Sequence, residues 1–182
     1  MLRRVLLGFG LVTTAVGCNT ALISLLPADG SPNTGSLDAG SLDAGSPAAS
    51  NTPLSTAGWL ATASDSYSTS TPNLALDGDP STSWTVGAWQ VPGMWFAVDM
   101  GEAQLFHSIT MTALTQPADY ARLLKLSLSV EGQTFTTART NIAGDKSLMI
   151  TFSDAQYARY LKFETLETEN NWWRIDELSV LQ

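Results

Sequence analysis

The 182-residue sequence contains a single cysteine and a single histidine, and positive charge is scarce in it. One thiol cannot form an intramolecular disulfide, so a folded domain must be stabilised by its hydrophobic core and by any metal that it binds. A zinc site needs several His or Cys ligands, and a Ser-His or Cys-His nucleophile needs a suitably placed histidine. With one histidine and one cysteine, neither kind of site is expected. We therefore expect His107 to be a hydrogen-bonded residue of the core or its rim.

The charge balance is acidic, with 9 Lys and Arg against 17 Asp and Glu and a formal net charge of −8. Beyond the N-terminus, the basic residues are scattered singly from Arg122 to Arg174. Contacts with nucleic acid phosphates require a clustered basic patch, so no nucleic acid partner is expected. The same balance argues against binding to acidic membrane lipids.

The segment 1–18 has the organisation of an export signal. Arg3 and Arg4 precede an apolar run, and small residues stand directly before Cys18. This end resembles a bacterial lipobox, which implies that Cys18 is acylated and anchors the chain to the bacterial cell envelope, at the outer membrane or cell surface. Two alternatives remain, an ordinary signal peptide and a membrane helix that continues through 21–26. Each of them exports the chain.

The segment 19–53 is rich in Gly, Ser, Pro and Ala and offers almost nothing to bury. It contains a tandem Gly-Ser-Leu-Asp-Ala at 35–39 and 40–44, which is too short for a structural repeat. Such a composition cannot offset its chain entropy. We predict a flexible linker that holds the following domain away from the membrane.

The folded domain is predicted at 54–182, which contains all 6 tryptophans and is long enough for one core. Apolar and polar residues alternate over 105–112, 124–130 and 148–152, with Leu105 and every second residue after it facing inward. This period of two is typical of half-buried antiparallel strands.

Turn signals separate these strands. Glu131-Gly132 follows one alternating segment and is predicted to form a tight hairpin turn. Strands recur at short intervals, with Gly, Pro, Asn and Asp between them, and no stretch carries a helical stripe. The sequence therefore predicts an all-β fold, an antiparallel β-sandwich.

Four parts of the domain carry distinctive motifs, in the order Asn73 to Trp84 (NLALDGDPSTSW), Gly93 to Gly101 (GMWFAVDMG), Asp119 to Arg122 (DYAR), and Ala158 to Phe163 (ARYLKF) with Asn171 to Leu178 (NWWRIDEL). These four segments resemble the signatures of the discoidin or coagulation factor V/VIII C-terminal domain family, and most of all its bacterial members grouped as family 32 carbohydrate-binding modules. The resemblance implies a jelly roll of about eight strands, with a galactose-binding-domain-like fold and no catalytic activity.

The resemblance also implies a structural Ca²⁺ site, because Ca²⁺ takes hard oxygen ligands from loops that mix carboxylates with carbonyls. The implied ligands are the carbonyls of Leu74, Asp79 and Asp176, the side chain of Asp77, the hydroxyl and carbonyl of Thr82, and the carboxylate of Glu177. The alternative is a local turn, in which an Asp side chain bonds to its own backbone.

The implied sugar-facing loops contain Trp89 and Trp172, whose indoles would stack on the C–H face of a pyranose. Polar contacts would come from Arg122 and Asn171, and Tyr120 and Gln90 complete the predicted set. Three other tryptophans lie in the segments that resemble the family, namely Trp84, Trp95 and Trp173. We expect them in the core. Many galactose-binding relatives carry a histidine where this chain has Thr85, so galactose is not predicted.

The leading hypothesis is a carbohydrate-binding surface lipoprotein with a polysaccharide or glycan as its partner. A protein or matrix adhesion module would use the same loops on a flat, apolar tip. A structural envelope lipoprotein with a vacant site is a third hypothesis. An enzyme is a fourth, although no acidic pair has a recognisable catalytic setting.

Overall fold

The computed structural model of the chain describes residues 51–182. The predicted signal 1–18, with Cys18, and most of the linker 19–53 lie outside the described residues. The described part contains one 3₁₀ turn, Pro72–Ala75, and no helix that is long and apolar enough to cross a membrane. Its strands are β1 (Leu60–Ala63), β2 (Trp84–Thr85), β3 (Trp95–Thr112), β4 (Leu123–Ser129), β5 (Thr136–Ala143), β6 (Ser147–Thr165), β7 (Arg174–Ile175) and β8 (Glu177–Leu181).

All strand pairs are antiparallel. The larger sheet has the order β1-β3-β6-β4-β5, with β8 also on β3, and β2 pairs with β7. β3 and β6 have 18 and 19 residues, far more than an ordinary strand, and each takes part in two layers. The first half of β3 pairs with β1 and the second half with β8. The register shifts between Asp99 and Gln104, and again between Phe106 and Ser108, bend this long pair over one core. The predicted sandwich is confirmed.

The centre of the core is aromatic. Trp84 contacts Phe96 and Trp173 with ring centroids 4.8 and 5.2 Å apart, and all three side chains are fully buried. The Trp84 indole N–H donates to the Ser66 hydroxyl at 2.9 Å, so the buried polar atom is satisfied. Burial of Trp84 and Trp173 is confirmed. Trp95 was expected in the core but is only half-buried, with the Lys162 ammonium 5.6 Å from its ring centroid.

The prediction that Leu105 faces the core is wrong, because a β-bulge changes which residues of β3 point inward. Leu105 is 57% exposed and Phe106 is fully buried, the reverse of the expected alternation. The register shift between Phe106 and Ser108 moves the following residues by one, so that Ile109 faces the core as predicted. His107 is half-buried at this bulge.

The alternation also breaks in β4. Its pairing with β5 shifts register on both sides of Leu126, and beyond that residue Ser127 and Ser129 are buried while Val130 is exposed. The prediction that Val130 faces the core is therefore wrong. In β6 the expected pattern holds, with Leu148, Ile150 and Phe152 all buried.

β4 and β5 form the predicted hairpin, but residues 130–135 join them, so the connection is longer than the tight turn that was expected. Gly132 has a φ of 77°, a left-handed conformation that an L-residue rarely adopts, and its N–H donates to the Ser129 hydroxyl at 2.9 Å. A Cβ at this position would lie 2.9 Å from the Tyr160 ring. The glycine is therefore required both by the backbone and by the approach of Tyr160.

An ion pair links β3 to β6. The Arg159 guanidinium donates to both carboxylate oxygens of Asp99, from Nε at 2.7 Å and from an Nη at 2.9 Å. The Gly101 N–H donates to the same carboxylate at 2.8 Å. Asp99 and Arg159 lie in two of the segments that resemble the family signatures. Their ion pair is therefore one structural role of these two segments.

Candidate functional site

Three loops, 87–90, 118–122 and 169–172, meet beyond the ends of the strands. The Gln90 N–H donates to the Asn171 carbonyl at 3.3 Å, and the Gln90 carbonyl accepts from the Glu169 N–H at 3.1 Å. The predicted ligand residues all lie on these loops. Positions separated by up to about 80 residues in the sequence are thus brought to one end of the fold.

The aromatic residues at this end differ in exposure. Trp89 is 64% exposed, whereas Trp172 is half-buried and packs against the core. Tyr67, which is 50% exposed, lies against Trp172 with ring centroids 5.0 Å apart and an interplanar angle of 41°. Tyr67 was left unassigned by the sequence because a single tyrosine in a Ser-rich loop carries no signal of its distant partner. The loop end therefore presents three aromatic side chains.

Arg122 is oriented by its neighbours. Its guanidinium carbon lies 3.7 Å from the ring centroid of Tyr120, a cation–π contact, and one Nη donates to the Ala118 carbonyl at 3.0 Å. No further partner of this guanidinium occurs among residues 51–182. The remaining N–H groups of Arg122 are therefore free to donate to a ligand, and Tyr120 acts as the surface that holds the group in place.

The structure corrects the roles of two predicted ligand residues. Gln90 is fully buried, and its amide nitrogen donates to the carbonyls of Tyr120 and Trp172, each at 3.1 Å. The Asn171 amide nitrogen donates to the Ala118 carbonyl at 2.9 Å and to the same two carbonyls at 3.1 Å. The side-chain oxygens of both residues are buried without a partner in the described structure. Gln90 and Asn171 therefore tie the loops together, and the fully buried Gln90 side chain does not reach a ligand.

A second group of oxygens surrounds Thr82, on the loop after the 3₁₀ turn. The Thr82 hydroxyl lies 3.4 Å from the Leu74 carbonyl, 2.8 Å from an Asp77 carboxylate oxygen and 3.0 Å from the Asp79 carbonyl. The Asp79 carboxylate points elsewhere and accepts from the Ser81 N–H and hydroxyl at 2.9 and 2.6 Å. Asp79 therefore offers its carbonyl, and not its side chain, to this group.

The last strand supplies the opposite side of this group. Burial, and then the negative charge of Asp77, raises the pKa of Glu177 to about 7, and one Glu177 carboxylate oxygen is buried without a partner in the described structure. The neighbouring Asp176 carboxylate is taken up by the Thr115 N–H and hydroxyl at 2.8 and 2.7 Å. A cation between the two facing carboxylates would neutralise them and give the unpartnered oxygen a ligand bond.

The donor set fits Ca²⁺ more than a softer metal. Within residues 51–182 no three side chains of His, Cys, Asp or Glu come together as metal ligands. A cation at this place would therefore depend on backbone carbonyls and a hydroxyl in addition to the carboxylates of Asp77 and Glu177. Hard oxygen ligands of this mixed kind suit Ca²⁺.

Residues 60–178 match the F5/8 type C domain, a range that runs from the first strand into the last. The chain belongs to the F5/8 type C domain family. The resemblance carried by the four segments is thereby confirmed, since all of them lie within the match. No curated protein matches the chain.

Solved structures with the same fold include bacterial sugar-binding modules. The family 32 carbohydrate-binding module of Clostridium perfringens NanJ, in complex with galactose, is 19% identical with a TM-score of 0.63, and the match covers 72% of this chain and 98% of that chain. A second Clostridium perfringens module of that family, in complex with GalNAc-β-1,3-galactose, is 18% identical with a TM-score of 0.64, covering 72% and 100%. Chitosan-binding module 1 of the Paenibacillus sp. IK-5 chitosanase/glucanase is 26% identical with a TM-score of 0.59, covering 68% and 94%.

One position of this F5/8 type C domain bears on sugar identity. Thr85 occupies the position at which many galactose-binding relatives carry a histidine. It is buried in β2 beside Arg174 of β7. Its hydroxyl donates to the Val86 carbonyl at 3.4 Å, so it faces the protein interior. The side chain at this position is therefore not available to a sugar at the loop end.

Proposed function

We propose that this F5/8 type C domain is a non-catalytic carbohydrate-binding module whose loop end contacts the sugar through Trp89, Trp172 and Arg122. The observation that carries the proposal is the exposed Trp89 indole on the same loop end as the Arg122 guanidinium, which has free donors. An indole stacks on the C–H face of a pyranose, while a guanidinium donates to its hydroxyls. Trp89 offers the first of these groups and Arg122 the second, and the Arg122 guanidinium is held by Tyr120 and the Ala118 carbonyl.

Relatives of the same fold support this proposal. The modules described above were solved with galactose or GalNAc-β-1,3-galactose, or are named for chitosan binding. These ligands differ from one another, so they support binding of a carbohydrate as a class and do not select one sugar for this chain. Thr85 gives no support to galactose in particular.

The surroundings of the acids near the 3₁₀ turn support a non-catalytic function. Glycoside hydrolysis uses two carboxylates that flank the scissile bond. In this chain the carboxylate of Asp176 is held by Thr115, and those of Asp77 and Glu177 lie against each other. These acids are better explained by a structural cation than by acid and base catalysis.

Calcium is the second part of the proposal. The carbonyls of Leu74, Asp79 and Asp176, the carboxylates of Asp77 and Glu177, and Thr82 would hold the ion. The ion would supply the positive charge that the facing carboxylates lack and would join the loop after the 3₁₀ turn to β8. In a domain without disulfides, such a link stabilises closure of the sandwich.

The location of the domain is the third part of the proposal, and it rests on the sequence of 1–18 alone. We propose export and lipid attachment at Cys18, which would place the domain at the bacterial cell envelope. The linker 19–53 would then hold the loop end within reach of polysaccharides or glycans outside the membrane.

Adhesion to a protein is the second candidate function. Trp89, Val91 and Tyr67 are 64%, 46% and 50% exposed, so this part of the molecule presents apolar side chains to solvent. Exposed apolar side chains also suit a protein partner. The two candidates differ in what they require of Arg122, since a sugar needs its donors and an apolar protein contact does not.

A glycan-array screen of the full chain in the presence of Ca²⁺ tests the proposal. We expect one class of glycan to bind, with binding lost in Trp89→Ala, Trp172→Ala and Arg122→Ala. Met149→Ala, which changes an exposed apolar residue of β6, is the matched control and should bind as the parent does. Absence of binding to every glycan, or equal binding by the loop variants, would reject the sugar site in favour of protein adhesion.

A further inference from the structure

A groove of about 360 Å³ lies where β4, β5 and β6 meet. It is formed by the end of β4, the hairpin and the start of β5 on one side, and by the middle of β6 on the other. None of its lining side chains is charged. Its polar lining consists of Ser129, Thr134, Thr136, Thr137, Gln156 and Tyr157.

The hydroxyls of this groove are largely free. Thr134, Thr136 and Thr137 have no hydrogen-bond partner for their hydroxyls among residues 51–182. Gln156 donates from its amide nitrogen to the Asp154 carbonyl at 3.0 Å, which leaves its amide oxygen without a partner within the described residues. Polar residues of three strands and the connecting loop thus line one uncharged concave surface. Because side chains alternate along a strand, the hydroxyls that face the groove are available to a ligand.

The groove also has an aromatic side. Tyr157 is 59% exposed, and Leu105, its register partner across β3 and β6, is exposed to a similar extent. An exposed phenol ring that lines the same groove as free hydroxyls matches the two surfaces of a sugar, whose C–H groups stack on a ring and whose hydroxyls need hydrogen-bonding partners. The groove volume falls in the range of small-molecule sites.

From these features, we propose that the groove is a second carbohydrate-binding site, one for neutral sugar units, with Tyr157 as its stacking surface. The uncharged lining selects against uronic acids and glucosamine units, because a charge brought into the groove would lose water without gaining a partner of opposite sign. This inference goes beyond the proposed function at the loop end and does not depend on it.

The two sites lie at opposite ends of β4. That strand begins at Leu123, directly after loop 118–122, and ends at Ser129, which lines the groove. Its 7 residues span roughly 20 Å at about 3.3 Å per residue, so a monosaccharide in one site does not reach the other. A polysaccharide chain long enough to bind at both sites would gain avidity.

An NMR titration of the ¹⁵N-labelled full chain tests the groove, with cellotriose and laminaritriose as neutral probes and trigalacturonate as the charged control. We expect saturable shifts of groove amides with a neutral probe and none with trigalacturonate. Tyr157→Ala should lower the affinity measured at these amides about tenfold, and Thr136→Val several-fold. Trp89→Ala, at the loop end, should leave the groove shifts unchanged.

Three results would overturn the inference. The first is a lack of groove shifts with both neutral probes, and the second is unchanged affinity in Tyr157→Ala. The third is a set of groove shifts that depends on protein concentration without sugar, which would identify the groove as a contact between two copies of the chain. Shifts confined to loops 87–90, 118–122 and 169–172 would reject the groove while supporting the loop site, so the two proposals fail separately.

Discussion

The ring of Tyr67 lies against that of Trp172, with centroids 5.0 Å apart and an interplanar angle of 41°. Trp172 also packs against the hydrophobic core, whereas Trp89 on the neighbouring loop has most of its surface in solvent. The two tryptophans therefore differ in what their removal would do. Trp172 supports the loop end and is a candidate ligand contact, while Trp89 is a candidate ligand contact that contributes little to packing.

Trp89→Ala and Trp172→Ala are expected to separate binding from stability. Both should weaken glycan binding about tenfold or more, because each removes a stacking surface. Only Trp172→Ala should lower the free energy of unfolding, by about 2 kcal/mol, because it alone loses contacts with the core and with Tyr67. Thermal melts beside a binding assay check this, and a comparable loss of stability in Trp89→Ala would contradict the assignment.

Gln90→Leu is expected to weaken the hydrogen bonds that join the three loops. The substitution removes two hydrogen bonds to the carbonyls of Tyr120 and Trp172, which Asn171 only partly replaces, so the free energy of unfolding should fall by about 1–2 kcal/mol. Glycan affinity should fall several-fold because both loops lose their common link. Gln104→Leu, in which the lost partner is the exposed Glu102, is the control. If Gln90→Leu melted and bound like the parent, the linking role would be wrong.

Added Ca²⁺ is expected to raise the melting temperature, and EDTA to reverse the rise. An ion at about 100 times its dissociation constant stabilises the folded state by about 2.7 kcal/mol. Glu177→Gln should abolish most of the rise, because it removes one of two carboxylates that face the ion. Asp79→Asn is the matched control, since its side chain bonds to Ser81 and points away from the site. A melting temperature insensitive to Ca²⁺ in the parent chain would exclude a structural calcium.

The free energy of unfolding is expected to fall at acidic pH, because Asp99 becomes protonated. The hydrogen bonds from Arg159 lower the pKa of Asp99 from its usual value of 3.8, so the unfolded chain takes up a proton at a higher pH than the folded one. The stabilisation is therefore complete above about pH 4 and is lost as the pH falls through the pKa of the folded state.

Urea unfolding between pH 2 and pH 6 measures this dependence. The parent should lose stability below about pH 4, and Asp99→Asn should lose less over the same interval because the titrating group is gone. Arg159→Gln should resemble Asp99→Asn, since it removes the cause of the shift. If Asp99→Asn lost as much stability below about pH 4 as the parent, other carboxylates would be responsible for the pH dependence.

The sequence predicted those parts of the molecule that depend on local pattern. Alternation identified the start of β6, Gly132 marked the connection between β4 and β5, and the segments around Trp84 and Trp173 placed both residues in the core. The inward face of Leu105 was wrong because a bulge depends on how two distant strands pair, and no alternation within one strand reveals it.

At the site, the sequence located the correct loops but not the role of each side chain. Gln90 stands next to Trp89 in a loop, where a polar residue reads as exposed, yet its amide is buried because two other loops close over it. Tyr67 was missed for the related reason that its partner Trp172 lies about 100 residues away. Both outcomes depend on long-range contacts that residue type and spacing do not encode.

Gly144 is expected to be the glycine least tolerant of substitution. A Cβ at this position would lie 1.6 Å from the Ala121 carbonyl oxygen, and the φ of Gly144 is outside the left-handed region, so the constraint is contact and not backbone strain. Its N–H also donates to the Arg122 carbonyl at 2.8 Å. Gly144→Ala must therefore displace the loop that carries Arg122, with a loss of about 3 kcal/mol or more.

Gly87→Ala is the matched control, because its Cβ would meet the nearest atoms of Tyr67 at 3.6 Å, an ordinary contact. Melting temperatures of the two variants should differ by several degrees, with Gly144→Ala the lower. Where Gly144→Ala remains folded, glycan binding should fall more than in Gly87→Ala, because Arg122 moves with the displaced backbone. Equal melting temperatures for the two variants would mean that loop 118–122 yields easily, and Arg122 could then not be a fixed donor of the site.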